Sequence, residues 1–360
     1  MKRLTVISII LLASVLLSAC TAGASSSSWP GLTADKDNAY LGVGPNLYAV
    51  RLSDGFKVWQ YPPQGTNNGQ EFYSNPVVTP DGQVLAGSSG RDYALYSIDA
   101  HTGKDKWAAP FKASDHWVAS PLVVGSTIFA PNNNGTLYAL DLATGQLSWS
   151  LPLGRSLWGT PTTDGKLIFV SALDHFLYAV DPGTHKVAWK TDLGGPIPGS
   201  PLVAADSSLL YLGSFARKVY AVDPAKGAVR WTANLQDWVW SAPTIVDKSL
   251  IAADISGNVY SLGVADGKSA WPALKPDGPI TGSPLALSNG VVLVTESGFV
   301  YAYKPDGSTL WPPVNIGGKI YTTPVLAGDR ILVAPMGATY LLYAINSKDG
   351  STLPWHFDGK

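Results

Sequence analysis

Few side chains in this sequence stand at spacings that would support catalysis or metal binding. Asp35-Lys36-Asp37-Asn38 begins like a calcium loop, but Tyr40 stands where an EF-hand needs glycine. There is no Gly-x-Ser-x-Gly elbow and no P-loop. The histidines show no ligand spacing, and most fall in predicted turns; they are His101, His116, His175, His185 and His356. We therefore expect no catalytic residue and no metal site.

The one cysteine, Cys20, ends a segment with the features of an export signal. Two basic residues near the start precede an apolar run over residues 4–17, and small residues follow it. Leu17-Ser18-Ala19-Cys20 resembles the lipobox of bacterial lipoproteins, which implies that Cys20 receives a diacylglyceryl group and becomes the mature N-terminus. The alternative is an ordinary signal peptide or an uncleaved helical anchor.

The segment predicts where the rest of the chain resides. We expect residues 1–19 to be a lipoprotein signal peptide and residues 20–28, which begin with the lipidated Cys20 and are rich in serine, to be a flexible linker. A lipid anchor with such a tether would hold the remaining chain outside the cytoplasm, at the cell membrane or the outer membrane. Thr21 in place of Asp after the cysteine implies, by the same resemblance, sorting to an outer membrane where one exists.

Aromatic side chains are the remaining candidates for binding. The sequence contains 13 Trp and 16 Tyr, and several of them stand within five residues before a recurring proline. We expect some to line one rim and to stack a planar ligand, a sugar or a partner's side chains, with packing in the core as the alternative. The candidate rim residues are Tyr73, Trp117, Trp158, Trp238, Trp240 and Tyr321, with Trp29 at the start of the series.

Composition predicts the class of fold that positions these rings. Of 360 residues only 14% are charged and the formal net charge is −1, so the basic footprint that nucleic-acid binding needs is missing. The 37 Gly and 27 Pro supply turn chemistry instead. Apolar and polar residues alternate over four to six positions and no helical period persists. The chain is predicted to be all-β.

One pattern recurs eight times at intervals of 40 to 48 residues. Its clearest copy is the segment 138–149, which reads Tyr-Ala-Leu-Asp-Leu-Ala-Thr-Gly-Gln-Leu-Ser-Trp. Upstream of most copies a small residue precedes a proline, as in Ser120-Pro121, and a β-branched run follows. Each copy therefore predicts four short strands. The tryptophans that end the copies are Trp59, Trp107, Trp149, Trp189, Trp231, Trp271, Trp311 and Trp355.

A four-stranded sheet of about 40 residues cannot bury both faces alone, so the copies must stack and close into a ring. This predicts an eight-bladed β-propeller over residues 29–360, in which each terminal tryptophan docks between adjacent blades. The glycine four residues before the tryptophan supplies a positive φ for the hairpin. In the fourth copy His185 takes the glycine position, and we expect Pro182-Gly183 to move the turn two residues earlier.

The segment Ala139 to Trp149 resembles the tryptophan-docking repeat of pyrroloquinoline quinone (PQQ) propellers. That family holds quinoprotein dehydrogenases and non-catalytic lipoproteins, including the propeller subunit of the outer-membrane β-barrel assembly machinery. The dehydrogenases carry a vicinal Cys-Cys pair and a PQQ-bound Ca²⁺, whereas the single cysteine here is Cys20. Eight copies with a lipobox resemble the second group more closely.

The resemblance and the residues together predict a membrane-anchored, extracytoplasmic scaffold that is not an enzyme, holds no cofactor and binds an envelope protein or a polysaccharide. No nucleic-acid partner is expected. The alternative is a quinoprotein that binds PQQ with Ca²⁺ and oxidises a sugar or an alcohol. Because one fold serves both groups, the residues of the site must decide between them.

The lipid anchor makes a first prediction. Cys20→Ser removes the thiol that would carry the acyl chains, so the variant should be soluble or remain unprocessed while the parent chain fractionates with membranes. Detergent partitioning of the two proteins measures this, and unchanged partitioning of the variant would contradict the anchor.

Overall fold

The computed structural model describes residues 29–66 and 69–360. The predicted signal peptide, Cys20 and the linker lie outside the described residues. The first sixteen strands form four consecutive sheets. Blade 1 contains β1 (Gly31–Ala34), β2 (Asn38–Val43), β3 (Asn46–Arg51) and β4 (Lys57–Tyr61); blade 2 contains β5 (Val77–Val78), β6 (Gln83–Gly87), β7 (Ala94–Asp99) and β8 (Phe111–Lys112); blade 3 contains β9 (Leu122–Val124), β10 (Thr127–Pro131), β11 (Thr136–Asp141) and β12 (Leu147–Pro152); blade 4 contains β13 (Thr162–Thr163), β14 (Ile168–Ser171), β15 (Phe176–Asp181) and β16 (Lys186–Asp192).

The remaining strands repeat the arrangement. Blade 5 contains β17 (Leu202–Val203), β18 (Leu210–Ser214), β19 (Lys218–Val222) and β20 (Val229–Asn234); blade 6 contains β21 (Thr244–Val246), β22 (Ser249–Ala253), β23 (Val259–Gly263) and β24 (Ser269–Leu274); blade 7 contains β25 (Leu285–Leu287), β26 (Gly290–Val294), β27 (Phe299–Tyr303) and β28 (Thr309–Asn315); blade 8 contains β29 (Val325–Ala327), β30 (Arg330–Val333), β31 (Leu342–Asn346) and β32 (Thr352–Phe357). Neighbouring strands within each sheet are antiparallel and consecutive in sequence. The predicted all-β, eight-bladed propeller is confirmed.

Burial along each blade follows the position of the strand. The second strand of blade 4, β14, is buried at every residue because neighbouring blades cover both of its faces. The outermost strand of the same blade, β16, has no buried residue: its first three residues are exposed, and exposed and half-buried positions alternate from there. Among the described residues no helix is long and apolar enough to cross a membrane. The core is therefore a series of layers between adjacent blades.

The docking tryptophans form these layers. Trp107 of blade 2 donates its indole N–H to the carbonyl of Leu142 in blade 3 at 2.9 Å. Its ring covers Gly145, where an added Cβ would lie 2.5 Å from the ring carbon Cδ2. Each indole thus lies on the turn of the following blade. Within the described residues, six of the eight indoles donate such a bond to a backbone carbonyl of the following blade. Besides Trp107, the pairs are Trp59 to Ala100, Trp189 to Pro224, Trp231 to Val264, Trp271 to Pro305 and Trp311 to Ser347.

Two other residues of the repeat, Ala139 and Asp141 in blade 3, position the tryptophan and the turn for this contact. Ala139 pairs directly with Trp149, and a β-bulge follows at once, so the strand turns where the indole leaves the sheet. Ala139 is fully buried, and its small side chain leaves room on the shared face. At the turn, Asp141 accepts bonds from the N–H and hydroxyl of Thr144, which lower the pKa of its carboxyl. Turn and indole are therefore fixed by the same repeat.

Blade 4 corrects one expectation. His185 itself adopts a φ of +58° and donates its N–H to the carbonyl of Asp181 at 2.9 Å, as Gly145 does to Asp141 in blade 3. The turn therefore does not move to Pro182-Gly183, and the prediction of an earlier turn was wrong. The imidazole stacks on Trp149 with ring centroids 4.8 Å apart. A side chain that packs on the docking indole occupies the place where the other blades have glycine.

The ring closes by the same contact, and among the described residues no strand is shared between the first and last blades. Trp355 of blade 8 covers Gly55 of blade 1, where an added Cβ would lie 2.7 Å from the ring. The hydroxyl of Thr322 donates to the carbonyl of Pro30. Buried apolar residues of both terminal blades, such as Leu32 and Leu332, form one cluster. First and last blades are therefore joined by packing and hydrogen bonds.

The glycine turn makes a second prediction. Gly145→Ala should destabilise the protein through a positive φ, at about 1–2 kcal/mol, and through the clash with Trp107, at about 1–3 kcal/mol more. Gly125→Ala is the matched control, because Gly125 has a φ of +59° but nothing within 4 Å of the added Cβ. Urea unfolding of both variants measures the difference, and equal losses of stability would contradict docking at Gly145.

Candidate functional site

In the loops that precede the recurring prolines, the offset of a residue from the proline determines which way its side chain faces. In seven loops the third residue before the proline lines one cavity; these residues are Tyr73, Val118, Trp158, Pro198, Trp240, Thr281 and Tyr321. Blade 1 contributes Trp29 and Pro30 to the same cavity. Since all eight blades reach it, the cavity lies on the axis of the propeller. We call the seven positions the channel positions and the cavity the central cavity.

Aromatic rings extend across the central cavity. Trp29 lies parallel to Tyr321, with centroids 4.6 Å apart and an interplanar angle of 4°, and it stacks on Tyr73 at 5.7 Å. It also contacts Trp240 of blade 6 at 5.9 Å, and Trp240 contacts Trp158 at 6.2 Å. Blades 1 and 6 are not neighbours, so this row of rings crosses the channel.

The rings are held by their surroundings. Trp158 donates its indole N–H to Asn133 Oδ1 at 2.8 Å, which fixes the ring plane. Phe215 packs against Trp240 with centroids 5.4 Å apart. Burial raises the pKa of Tyr73 to about 12, so its hydroxyl stays neutral at physiological pH. Phe215 lies in the turn between β18 and β19. The other aromatic residues were found because they stand within five residues before a recurring proline, and Phe215 does not, so the sequence analysis missed it.

Trp117 departs from its expected rim position. It stands four residues before Pro121 rather than three, and it is 1% exposed. Its indole N–H donates to the carbonyl of Tyr93 at 2.9 Å, and its ring packs between blades 2 and 3. Phe72 holds the same register in its loop and is also 1% exposed. Successive side chains of extended backbone point to opposite sides. A shift of one position along the loop therefore moves a side chain from the channel to the core.

Trp238 stands five residues before Pro243 and lies outside the cavity. It is 43% exposed and stacks on Phe215 with centroids 4.9 Å apart. Arg217, also exposed, lies in the same turn as Phe215. The structure therefore separates the predicted rim residues into a channel group of Tyr73, Trp158, Trp240 and Tyr321, a core residue and an outer residue.

Hydroxyl groups complete the wall of the central cavity. Ser120 donates to the carbonyl of Asn75 at 2.8 Å, which joins two neighbouring loops. Ser200 accepts from the N–H of Thr160, and Thr323 from that of Ser283, each at 2.9 Å. The small polar residues beside the prolines thus link blades around the axis.

Three aspartates of the loops have structural roles. Asp174 accepts the hydroxyl of Tyr178 at 2.7 Å, and burial followed by this bond raises the pKa of the tyrosine. Asp92 and Asp254 hold Tyr96 and Tyr260 in the same way. In the part of the chain that the structure describes, no three His, Cys, Asp or Glu side chains are placed to hold a metal ion.

The charge of the residues that line the central cavity indicates whether PQQ would fit there. The quinone is a tricarboxylate, and a buried carboxylate needs cationic partners or a metal. No described residue that lines the central cavity is charged. The cavity is lined by rings, hydroxyls and backbone instead, so these residues do not fit PQQ with Ca²⁺.

The register makes a third prediction. Trp117→Ala should cost about 3–5 kcal/mol of stability because it leaves a large buried space between blades 2 and 3 and removes the indole bond to the carbonyl of Tyr93. Trp240→Ala should cost clearly less, since its half-buried ring faces a cavity that water can fill. Thermal unfolding of the two variants compares them directly. A larger loss for Trp240→Ala would reverse the assignment of core and channel.

Comparison with known proteins places the fold in a family. The family model described as outer membrane protein assembly factor BamB matches residues 18–151, 94–195, 174–311 and 256–360. The crystal structure of BamB from Moraxella catarrhalis superimposes with a TM-score of 0.72 at 18% identity, covering 85% of this chain and 93% of that chain. The computationally designed Ika8 protein gives a TM-score of 0.71 at 14% identity, covering 93% of this chain and 98% of that chain.

One curated relative is an enzyme, and it matches a shorter part of the chain. A polyvinylalcohol dehydrogenase from a Pseudomonas species is 28% identical over an alignment of 127 residues, and the match covers 28% of this chain and 20% of the dehydrogenase. The chain thus matches about a fifth of that relative's length. The matches to the family model, by contrast, run through all eight blades. The chain belongs to the family of the outer membrane protein assembly factor BamB.

Proposed function

We propose that the protein is a non-catalytic scaffold that is held on the extracytoplasmic side of a membrane by a lipid on Cys20 and binds another envelope protein. The observation that carries this proposal is the match of the BamB family model from residue 18 to residue 360. The lipobox at residues 17–20 supports the anchor. A rigid ring with many loops on each face suits the display of a binding surface.

The exposed Trp238, stacked on the half-buried Phe215, is the surface best suited to such a partner. Trp238 offers a broad ring whose orientation is fixed by the stack, so binding it costs little side-chain entropy. Asp237 beside it accepts a hydrogen bond from Ser256 and lies near Arg217, and these contacts lower the pKa of its carboxyl. Aromatic and arginine side chains are enriched where protein interfaces concentrate binding energy.

A fourth prediction tests this surface. Trp238→Ala should reduce capture of the partner by at least about tenfold, since anchors of this kind are worth roughly 2 kcal/mol or more. The measurement is crosslinking in intact membranes followed by purification and identification of the crosslinked protein. Phe56→Ala is the matched control, because Phe56 is 67% exposed in a turn on the opposite face.

The outcomes of that experiment are distinct. Equal capture by the parent chain and both variants would exclude Trp238 from the interface. A parent chain that reproducibly captures no envelope protein would contradict the scaffold role itself.

The alternative is a quinoprotein, which the match to a dehydrogenase favours. It would require PQQ to bind in a cavity whose lining carries no charge. A fifth prediction follows: PQQ and Ca²⁺ added to the purified protein should produce no bound quinone absorbance, no thermal shift and no dye reduction with alcohols or sugars. Saturable PQQ binding with alcohol-dependent dye reduction would establish the enzyme instead.

A further inference from the structure

Trp29 stands at a position of the repeat where the other seven blades have a small residue. These residues, each directly before the recurring proline, are Asn75, Ser120, Thr160, Ser200, Ala242, Ser283 and Thr323. Several of them join neighbouring loops, as Ser120 does with Asn75. Blade 1 has Trp29 before Pro30 instead, and its ring reaches the central cavity. This indole is therefore an addition to the repeat and is not one of the rings that dock one blade on the next.

Three rings of the channel positions form the surface on which Trp29 lies. Its indole is parallel to Tyr321 at a centroid distance of 4.6 Å, stacks on Tyr73 at 5.7 Å and meets Trp240 at 5.9 Å. The three rings come from the loops before blades 8, 2 and 6, and stacked or tilted rings at such distances attract each other. We call Tyr321, Tyr73 and Trp240 the indole seat. No described residue that lines the cavity is charged, so the seat suits a neutral ring.

Trp29 is held in the seat by ring contacts alone. In the described part of the chain its side chain forms no hydrogen bond, whereas the indole N–H of Trp158 donates to Asn133 and that of Trp117 to the carbonyl of Tyr93. Trp29 also remains partly exposed to solvent. A second indole would make the same contacts with the seat, so the occupant is exchangeable.

The backbone is fixed from the residue that follows Trp29. The carbonyl of Pro30 accepts a hydrogen bond from the hydroxyl of Thr322. The N–H of Leu32 donates to Asn75 Oδ1 at 3.0 Å. Because these bonds hold the start of β1, Trp29 can leave the seat by rotation about its own bonds while every strand stays in place.

We propose that the indole seat binds the tryptophan side chain of another polypeptide, and that Trp29 fills the seat in cis until such a side chain displaces it. Since Trp29 is attached directly beside the seat, the incoming side chain competes with a local concentration in the millimolar range or above. The proposal depends neither on the lipid anchor nor on a partner at Trp238, which lies outside the cavity.

The test titrates the purified protein with N-acetyltryptophanamide and follows binding by calorimetry and saturation-transfer NMR. Trp29→Ala vacates the seat, so this variant should bind the probe saturably, in the millimolar range or more tightly. The parent chain should bind it at least about fivefold more weakly, because only the fraction of molecules with Trp29 displaced accepts the probe. N-acetylleucinamide has no ring to stack and should bind Trp29→Ala more weakly than the tryptophan probe does.

Two further variants and a control accompany the titration. Trp29→Leu keeps an apolar side chain before Pro30, which guards against a loss of folding in Trp29→Ala, and it too should bind the probe more tightly than the parent chain. Tyr321→Leu added to Trp29→Ala removes the parallel ring and should weaken probe binding about threefold to tenfold. Trp238→Ala is the matched control, because it also removes a stacked ring but one outside the cavity, and it should bind the probe as the parent chain does.

Three results would overturn the proposal. They are no saturable binding of the tryptophan probe to a folded Trp29 variant, equal affinity of the parent chain and the Trp29 variants, and equal binding of the leucine probe. Partner capture at Trp238 is a separate measurement on intact membranes, so a failure of the scaffold role and a failure of the indole seat can be told apart.

Discussion

The contact between a tryptophan and the turn of the following blade is the constraint on which the structure depends. A four-stranded sheet exposes two apolar faces, and within residues 29–66 and 69–360 no strand is shared between blades to hold neighbours together. The indole covers the turn and donates to its backbone, as Trp107 does at Gly145 and Leu142. Trp355 makes the eighth contact on Gly55, so the ring closes by the interaction that builds it.

Regular docking also determines where the site is. Because each blade meets the next in the same way, the loops before the prolines arrive at the axis in the same register. The third residue before the proline then faces the channel, and the fourth faces the layer between blades. Trp158 and Trp117 show the result, since one ring lines the central cavity and the other is 1% exposed. The chemistry of the cavity follows from a single position in the repeat.

The repeated register explains which features of the fold and the site the sequence predicts and which it does not. The spacing of Tyr, Gly and Trp predicts the strands, their number and the ring, because each blade repeats one local pattern. A window of five residues before the proline did not separate Trp117 from Trp158, although their offsets of four and three residues place one in the core and the other at the channel. Phe215 comes from another turn and meets Trp240 only in three dimensions. His185 was misjudged because its ring contact with Trp149, which no local pattern shows, accompanies a positive φ.

The position of Trp29 connects the proposed anchor to the proposed interface. Trp29 stacks over the central cavity, so the chain enters the propeller at the axis of the face that carries the channel positions. Nine residues lead from Cys20 to Trp29, and an extended chain of that length spans at most about 32 Å. A lipid on Cys20 would therefore keep this face close to the bilayer. Trp238 lies in a loop on the same face, so with such an anchor a partner bound at Trp238 would have to extend to within a few nanometres of the membrane surface.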